Sequence, residues 1–437
     1  MLNIIPNLLF AIILATAAYF AIKNFGKIKR NILLGKPQKR NDNPTARLRM
    51  MLLVAFGQQK MFDRPISALL HLCVYVGFVV VNIEMLEIVT DGLFGTHRVL
   101  MGILGPCYAT LINIFEFLAV AVILACVAFL IRRNVLKVGR FQSAEIKNWP
   151  WLDANLILTI EIALMVAFLT MNASDKALQL QNISHFADTG TFWVSGMFVP
   201  LISNFDTNIL LILERASWWV HIIGVLLFLN YLPFSKHLHI MLAFPNTYYA
   251  NLQTKGAMNN MSEITNEVKI MLNMPADNTP PADIKRFGAK DATDLTWYNI
   301  LNAYTCTECG RCTSVCPANL TGKALSPRKI MMDTRDRMEE IGKNIDLNGT
   351  FKDDGKTLID SYISHEELLA CTTCNACVEA CPVNISPLEI ILELRRYKIM
   401  EESQAPQSWN MMFQNMETSF APWKFAPSDR AKWTEGM

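Results

Sequence analysis

The soluble half of the fold is decided by CTECGRCTSVCP, residues 306–317, and by a second copy that follows as CTTCNACVEACP, residues 371–382. Both copies have the spacing C-x2-C-x2-C-x3-C-P. This spacing gathers three thiolates on one tight loop around a face of an iron–sulfur cube, and in two-cluster proteins the fourth cysteine ligates the other cluster. The sequence therefore predicts two [4Fe–4S] clusters with crossed ligation.

Crossed ligation divides the eight motif cysteines into two sets. The first-cluster set is Cys306, Cys309, Cys312 and Cys381, and the second-cluster set is Cys371, Cys374, Cys377 and Cys316. Structural zinc also favours cysteine tetrads, but it usually takes two C-x2-C pairs. A triple C-x2-C-x2-C that is closed by C-P and occurs twice favours iron. Eight thiolates need a reducing compartment, which predicts that the motifs face the cytoplasm.

The first half of the chain has the composition of a membrane domain. Apolar residues make up 52% of the sequence, which is high for a soluble protein. Five apolar runs are long enough to cross a hydrocarbon core of ~30 Å, which takes roughly 20 helical residues. They are residues 4–22, 67–89, 109–131, 154–171 and 209–232. The first run lacks a basic leading segment and a small-residue cleavage site, so we interpret it as a retained helix.

The charges between these runs predict the orientation. Residues 23–49 and residues 132–147 are strongly basic, and basic loops stay on the cytoplasmic side. The N-terminus is then outside, and everything after residue 231 is cytoplasmic, in agreement with the cysteine argument. The expected location is the cytoplasmic (inner) membrane of a bacterium.

Shorter segments complete the expected organisation. We expect residues 48–62 to lie in the membrane interface and residues 191–205 to form an outer amphipathic segment. Residues 258–272 and 387–402 are expected to be helical, and residues 273–291 to form a linker. The predicted fold is an all-α membrane protein with a five-helix transmembrane bundle and a cytoplasmic α-helical ferredoxin-type domain. The predicted domains are 1–245 (membrane), 246–295 (amphipathic segment and linker), 296–402 (two-cluster domain) and 403–437 (tail).

Histidines in the membrane half are candidate cofactor ligands, because ionisable residues inside a bilayer are costly. His71 and His239 lie toward the predicted cytoplasmic side on different segments, where two imidazoles could clamp the iron of a haem b. His221 and His237 are weaker candidates for a second haem or a quinone contact, and His221 could also be a packing residue. Carboxylates in the membrane half are candidates for proton or quinone chemistry, namely Glu84, Glu87, Glu116, Glu161 and Glu214 with Arg215. Several lie near span ends, so for most of them we favour a solvated position.

Two parts of the sequence resemble known protein families. HLCVYVGFVV, residues 71–80, and WWVHIIGVLLFLNYLPFSKHLHI, residues 218–240, resemble the nitrate reductase gamma-subunit-like cytochrome b domain. The cysteine motifs and NMETSFAPWKFAPSDRAKW, residues 415–433, resemble heterodisulfide-reductase-like iron–sulfur oxidoreductases. The resemblance implies a subunit that passes electrons between a quinone (menaquinone or ubiquinone), b haem and two [4Fe–4S] clusters.

The cytochrome pattern has two histidines on the second span and two on the fifth. His221 and His239 match the spacing on the fifth span, and His71 matches one ligand of the second span. The position ten residues beyond His71 is Val81, so the second ligand of an outer haem is missing. His221 is left as a sole axial ligand, a quinone contact or a structural residue.

Heterodisulfide-reductase-like catalytic chains continue into paired CCG motifs, and this sequence contains no CC pair. The resemblance therefore implies a separate cytoplasmic subunit, with CCG motifs or a flavin, that carries the substrate site. We expect Trp409, Trp423 and Trp433 in the tail to dock this partner. A net charge of +2 gives no support for nucleic-acid binding. Two alternatives stay open: a haem-free conduit between quinone and clusters, and a membrane-anchored iron–sulfur sensor or scaffold.

Overall fold

The computed structural model describes residues 4–183, 185–254, 256–275, 286–424 and 426–436. Its α-helices in chain order are α1 Ile4–Leu33, α2 Pro44–Met51, α3 Pro65–Phe94, α4 Val99–Leu104, α5 Cys107–Leu130, α6 Trp149–Leu180, α7 Val199–Ile202, α8 Thr207–Tyr231, α9 His239–Tyr248, α10 Ser262–Met271, α11 Trp297–Thr305, α12 Pro317–Leu320, α13 Pro327–Asn348, α14 Leu358–Ser361, α15 His365–Ala370, α16 Ala376–Glu379, α17 Pro387–Met400 and α18 Gln407–Ser419. Within these ranges the protein forms no β-strand, as the sequence predicted.

Five helices form the membrane bundle. Helices α1, α3, α5, α6 and α8 are each long and apolar enough to cross a bilayer, so each of the five predicted spans corresponds to a candidate membrane helix. Contacts between α1 and α3, α3 and α5, α5 and α6, α6 and α8, and α8 and α1 close the bundle into a ring. Its core includes Ile112, Phe115, Phe168 and Ile222. Apolar side chains on the outside of the ring, such as Leu86 and Leu227, are exposed, as expected for surfaces that face lipid.

Helix α1 is longer than its apolar run, because the basic residues that follow continue the helix instead of forming a loop. Its last turns reach the soluble domain, where Lys27 and Arg30 both form ion pairs with Asp346 of α13. The Asn31 amide donates to Tyr304 Oη at 3.0 Å. A single continuous helix thus joins the bundle to the cysteine-bearing domain.

The two ends of the bundle differ in what they contact. We call the end that meets the cysteine-bearing domain the ferredoxin end, and the opposite end, near the C-terminus of α3 and the N-terminus of α8, the far end. At the ferredoxin end, the buried Arg328 of α13 reaches the connection between α5 and α6. Its guanidinium donates to the Arg140 carbonyl at 2.7 Å and to Glu145 at 2.8 Å. The soluble domain is therefore fastened to the bundle by a buried cation as well as by α1.

The cysteine-bearing domain has a helical core of its own. Buried Ile300, Ile330, Ile390 and Leu394 from α11, α13 and α17 pack together with the motif cysteines Cys306, Cys316 and Cys381. Ser326 and Ser386 cap α13 and α17, and each helix has proline in its first turn, the arrangement preferred at helix N-termini. These caps fix the starts of the two helices that flank the cysteine loops.

The peripheral segments largely follow the expectations. Residues 48–62 form the end of α2 and a wider turn at Leu52–Phe56, and Leu48, Leu52 and Phe56 are exposed, consistent with an interfacial position. Residues 191–205 form two short turns. Residues 276–285, most of the predicted linker, lie outside the described residues. In the tail, α18 buries no residue, Trp423 and Trp433 are exposed, and Trp409 is half-buried. The domain boundaries stay predictions.

Candidate metal centres

The two cysteine motifs adopt the same unusual backbone turn. The residue before the second cysteine of each motif, Glu308 or Thr373, has φ of 54° or 56°, and the residue after it, Gly310 or Asn375, has φ of 70° or 61°. Left-handed positions separated by a cysteine curl the chain so that successive thiols turn toward one side. A Cβ at Gly310 would collide with the Arg328 guanidinium, so glycine is needed there for space as well.

The fold brings the cysteines together across the two motifs. Cys312 lies within electrostatic range of Cys306, Cys309 and Cys381. Cys381 comes from the second motif, and it interacts with Cys309 as well. These are the four thiols that the sequence assigned to the first-cluster set.

The second group mirrors the first. Cys377 interacts with Cys371, Cys374 and Cys316, and the last of these comes from the first motif. Cys312 also interacts electrostatically with Cys377, so the first-cluster and second-cluster sets are adjacent. The assignment of each thiol to a particular cluster stays a prediction, and this grouping is what supports it.

The donor arrangement fits a polynuclear cluster better than zinc. Within the described ranges, no three His, Cys, Asp or Glu side chains are close enough together to share a single metal ion, as a structural zinc site requires. In a [4Fe–4S] cube each thiolate binds a different iron, so the four sulfurs stand farther apart. The residues present therefore fit iron–sulfur clusters, and the number of clusters stays a prediction.

Backbone amides prepare the thiols for a cluster. Ile385 N–H donates to Cys381 Sγ at 3.2 Å, and Thr373 N–H donates to Cys371 Sγ at 3.4 Å. Burial is the main cause that raises the pKa of Cys306 and Cys377 to about 12 and that of Cys381 to about 11. Metal ligands must be deprotonated. Because burial opposes loss of the thiol proton, the positive charge of bound iron has to stabilise the thiolate. Cys374 is exposed, and the second-cluster set is thus the one open to solvent.

A pair of histidines lies where the bundle meets the first motif. The ring centroids of His71 on α3 and His239 at the start of α9 are 6.4 Å apart, with planes inclined by 38°. His239 Nδ1 donates to the Lys236 carbonyl at 3.0 Å, and His71 Nδ1 lies 2.9 Å from Gln58 Oε1. Because Nδ1 is occupied in each ring, Nε2 is the nitrogen left to bind a metal. The structure thus brings together the two residues predicted to hold a haem.

A cavity of about 260 Å³ adjoins this pair, and His71, His239, Cys309 and four arginines contribute to its lining. The arginines are Arg132, Arg133, Arg140 and Arg311. The Nε atoms of Arg133 and Arg140 are buried with no hydrogen-bond partner in the described part of the chain. Unpaired buried donors are costly, and anionic groups such as haem propionates would satisfy them. The cavity also shares Cys309 with the first-cluster set.

His237 belongs to the same cluster of histidines. Its ring centroid is 5.9 Å from that of His239, and its Nδ1 lies 3.0 Å from Ser235 Oγ. Burial lowers the pKa of both His237 and His239, which keeps them in the neutral form that binds metals. The prediction that His237 contacts a second haem or a quinone is untested, and its position is beside the first pair.

His221 lies deeper in the bundle and is fully packed. Its Nδ1 donates to the Leu164 carbonyl at 3.0 Å. The adjoining cavity, which Val81 and Glu161 also line, has a volume of about 60 Å³, less than a quarter of the volume of the cavity beside His71 and His239. Its role as a second haem ligand stays a prediction that this geometry does not favour.

A polar network at the far end was missed by sequence reasoning. Arg98 donates to Asp175 at 2.5 Å, to Asn172 at 2.8 Å and to Tyr108 at 3.2 Å. A cavity of about 360 Å³ opens beside it. The interpretation that most of the carboxylates are solvated was wrong for Glu84, Glu87, Glu116 and Glu214, which are all buried. For two of them the cover comes from segments between the long helices, where the N–H of Leu100 donates to Glu87 and the N–H groups of Val194 and Ser195 donate to Glu116.

Comparisons with known proteins agree with the metal chemistry. A family model described as a 4Fe-4S dicluster domain matches residues 305–385. The chain is 25% identical to the probable iron-sulfur-binding oxidoreductase FadF of Bacillus subtilis, over 98% of this chain and 60% of that protein. It is 24% identical to the EtfAB:quinone oxidoreductase of Syntrophomonas wolfei, over 98% of this chain and 59% of that protein. The chain therefore spans about 60% of the length of these two relatives.

A shorter match, with 32% identity, is to one subunit of the ferredoxin/F(420)H(2)-dependent CoB-CoM heterodisulfide reductase of Methanosarcina acetivorans, and it covers 24% of this chain and 53% of that protein. No solved structure matches the chain. The protein is thus a transmembrane relative of iron–sulfur oxidoreductases and electron-transfer subunits, with a 4Fe-4S dicluster domain at residues 305–385. The predicted fusion to a haem-binding cytochrome domain is not shown by these relatives.

Proposed function

We propose that this chain is the membrane-bound electron-transfer subunit of a respiratory-type oxidoreductase. It would pass electrons between membrane quinone, one haem b and two [4Fe–4S] clusters, and exchange them with a soluble partner subunit. The observation that carries the proposal is the shared cavity, whose lining includes His71, His239 and Cys309. A haem held there would lie beside the first cluster.

The residues form a continuous series from membrane to solvent. The histidine pair is next to Cys309, the first-cluster set is next to the second through Cys312 and Cys377, and the second-cluster set ends at the exposed Cys374. The bound haem and clusters would supply one-electron chemistry, and the protein would supply ligation and positioning. Arg140 and Arg311 would neutralise propionates and cluster charge.

Two relatives support the partners in this proposal. One is called an EtfAB:quinone oxidoreductase and another is a subunit of a multi-subunit heterodisulfide reductase. A quinone substrate and a separate redox partner follow for this chain by analogy only. We place the cysteine-bearing domain in the bacterial cytoplasm, with the N-terminus outside, on the loop charges and on the need of thiolates for reducing conditions.

Spectroscopy of protein purified without oxygen tests the proposal. The expected result is a b-type band in the dithionite-reduced minus oxidised spectrum, about eight non-haem irons per chain and partial reduction by a quinol. Clusters that quinol reduces without a b-type band would identify the haem-free conduit instead. Clusters that quinol cannot reduce and a partner cannot oxidise would identify a sensor or scaffold.

A further inference from the structure

The cavity beside His221 begins one helical turn deeper in the bundle than the histidine pair and extends along α3 to Met85. Its volume is about 60 Å³, and Val74, Asn82, Glu161 and His221 are among its lining residues. Val74 follows His71 by three residues on α3, and Glu161 follows Leu158, which lines the histidine cavity, by three residues on α6. Three residues of helix advance about 5 Å. The two cavities are therefore stacked along the same helices.

The deeper cavity combines polar groups with a lipid-exposed side. Phe78 and Val79 of α3 are 37% and 53% exposed, and Asn82 is exposed next to them. Helix α1 packs against α3 near the far end, where Phe10 lies against Gly92, and against α8 nearer the ferredoxin end, where Asn230 donates to the Ala17 carbonyl. The middle of α3 is thus open sideways to the bilayer.

Two proton-accepting groups point to the chemistry of this cavity. The Leu164 carbonyl can only accept a hydrogen bond, so His221 Nδ1 carries the proton and Nε2 keeps a lone pair. The half-buried Glu161 has no hydrogen-bond or ion-pair partner among the described residues. Ionisable residues at this depth are costly and usually functional. Here a carboxylate and a neutral imidazole share one cavity.

We propose that this cavity, which we call the mid-bundle site, is where a membrane quinol binds and is oxidised. The assignment rests on the proposed function, for which it supplies the place of reaction. A quinol comes from the lipid, has an apolar tail and carries two hydroxyl groups that must each lose a proton. The cavity is too small to enclose the ring, so the ring occupies the opening beside Phe78 and presents its two hydroxyl groups to the cavity one after the other.

The reaction balances with the groups present. One quinol releases two protons and two electrons and leaves as quinone. Glu161 accepts one proton and His221 Nε2 accepts the other, and both later return them to water. The oxidant is the haem b that His71 and His239 would hold, which would accept the two electrons one at a time. Val81 occupies the position at which the cytochrome pattern has its second histidine on this span. Because valine cannot ligate a haem, the bundle at this depth is free to bind a quinol.

Photolabelling tests the site without depending on redox activity. A photoreactive azido-quinone is applied to the full chain in lipid nanodiscs, with and without excess unmodified quinone, and the labelled peptides are identified by mass spectrometry. We expect saturable labelling within residues 77–82 and 161–165. Labelling confined to the far-end cavity around Glu84 and Trp218, or labelling that excess quinone does not reduce, would overturn the proposal.

The rate of quinol-driven reduction is the second test of the mid-bundle site. Glu161→Gln and His221→Gln should each slow quinol-driven reduction of the metal centres at least tenfold and leave the dithionite-reduced spectrum unchanged. Thr159→Val, a change at an exposed position of the same helix, is the matched control and should have the wild-type rate. Wild-type rates in both test variants would also overturn the site. If wild-type protein is not reduced by quinol at all, the proposed function fails, and the labelling result still decides whether quinone binds here.

Discussion

The imidazole rings of His71 and His239 lie 6.4 Å apart, although one belongs to the second membrane helix and the other begins a helix beyond the fifth. Metal–imidazole bonds of ~2 Å place the ring centres of two opposed ligands roughly 6 Å apart. The pair therefore has the separation of two axial ligands, and Cys309 lines the same cavity. The predictions below follow from this relationship and from the buried groups around it.

Removing either histidine should remove the haem. His71→Ala and His239→Ala each leave one axial ligand, so the b-type band should fall to a small fraction of wild type while the iron–sulfur absorbance persists. The measurement is the reduced-minus-oxidised visible spectrum with haem extraction. His185→Ala changes an exposed histidine at the far end and serves as the control. A full b-type band in both test variants would assign the haem elsewhere.

Crossed ligation predicts which cysteine changes resemble each other. Cys381→Ala should remove the same paramagnetic signal as Cys309→Ala, and Cys316→Ala the same signal as Cys374→Ala, because each pair belongs to one cluster. Low-temperature EPR of the reduced protein, with iron analysis, distinguishes the two signals. Pairing by motif, with Cys316→Ala behaving like Cys309→Ala, would refute the crossed arrangement.

The contact between Arg328 and Glu145 should hold the cysteine-bearing domain against the bundle. The Arg328 side chain is 1% exposed and that of Glu145 is 14% exposed, so Arg328→Met leaves a partly buried carboxylate unpaired, at a cost of about 3–5 kcal/mol. We expect a lower melting temperature and faster hydrogen exchange in residues 139–146.

Lys356→Met is the matched control for this change. Its partner Glu340 and Lys356 itself are 40% and 51% exposed, and exposed pairs contribute about 0–1 kcal/mol. Equal effects of the two changes would show that the buried contact adds nothing to docking.

Acid should weaken the far end through His97. Burial lowers the pKa of His97 to about 4, although Asp175 opposes the shift. The unfolded chain, with an ordinary pKa near 6.5, binds a proton that the folded chain refuses, so stability is constant above about pH 6.5 and falls as pH drops from there toward 4. Between pH 7.5 and pH 5 the loss is roughly 2 kcal/mol.

Thermal unfolding at these two pH values measures the effect. His97→Gln should reduce the drop in melting temperature. An unchanged pH dependence in His97→Gln would show that another group controls it.

The parts of the fold that depend on local pattern were predictable. Continuous apolar runs gave the five helices, and the spacing of Cys306, Cys309 and Cys312 predicted a cluster loop, because both signals are carried by neighbouring residues. The sequence also selected His71 and His239 as a pair, since both lie at the same end of the bundle. Their separation and the arginines around them became visible only through the tertiary fold.

The parts that depend on loop packing were not predictable. Glu116 looked like a carboxylate near a helix end, but the backbone N–H groups of Val194 and Ser195 donate to it from a loop that is distant in sequence. In the same way, the extension of α1 into the soluble domain depends on Asp346, which binds its basic residues. The sequence shows a charged residue near a helix end, but it does not predict whether that residue contacts water or another segment of the chain.

The central claim is that electrons reach the clusters from quinol by way of the His71 and His239 pair. Rapid mixing of anaerobic protein with a quinol, followed at the b-type band and at the iron–sulfur absorbance, tests it most directly. The account predicts that the b-type band reduces before the clusters, and that in His71→Ala dithionite still reduces the clusters while quinol does so at least tenfold more slowly. Cluster reduction by quinol at the wild-type rate in His71→Ala would contradict it.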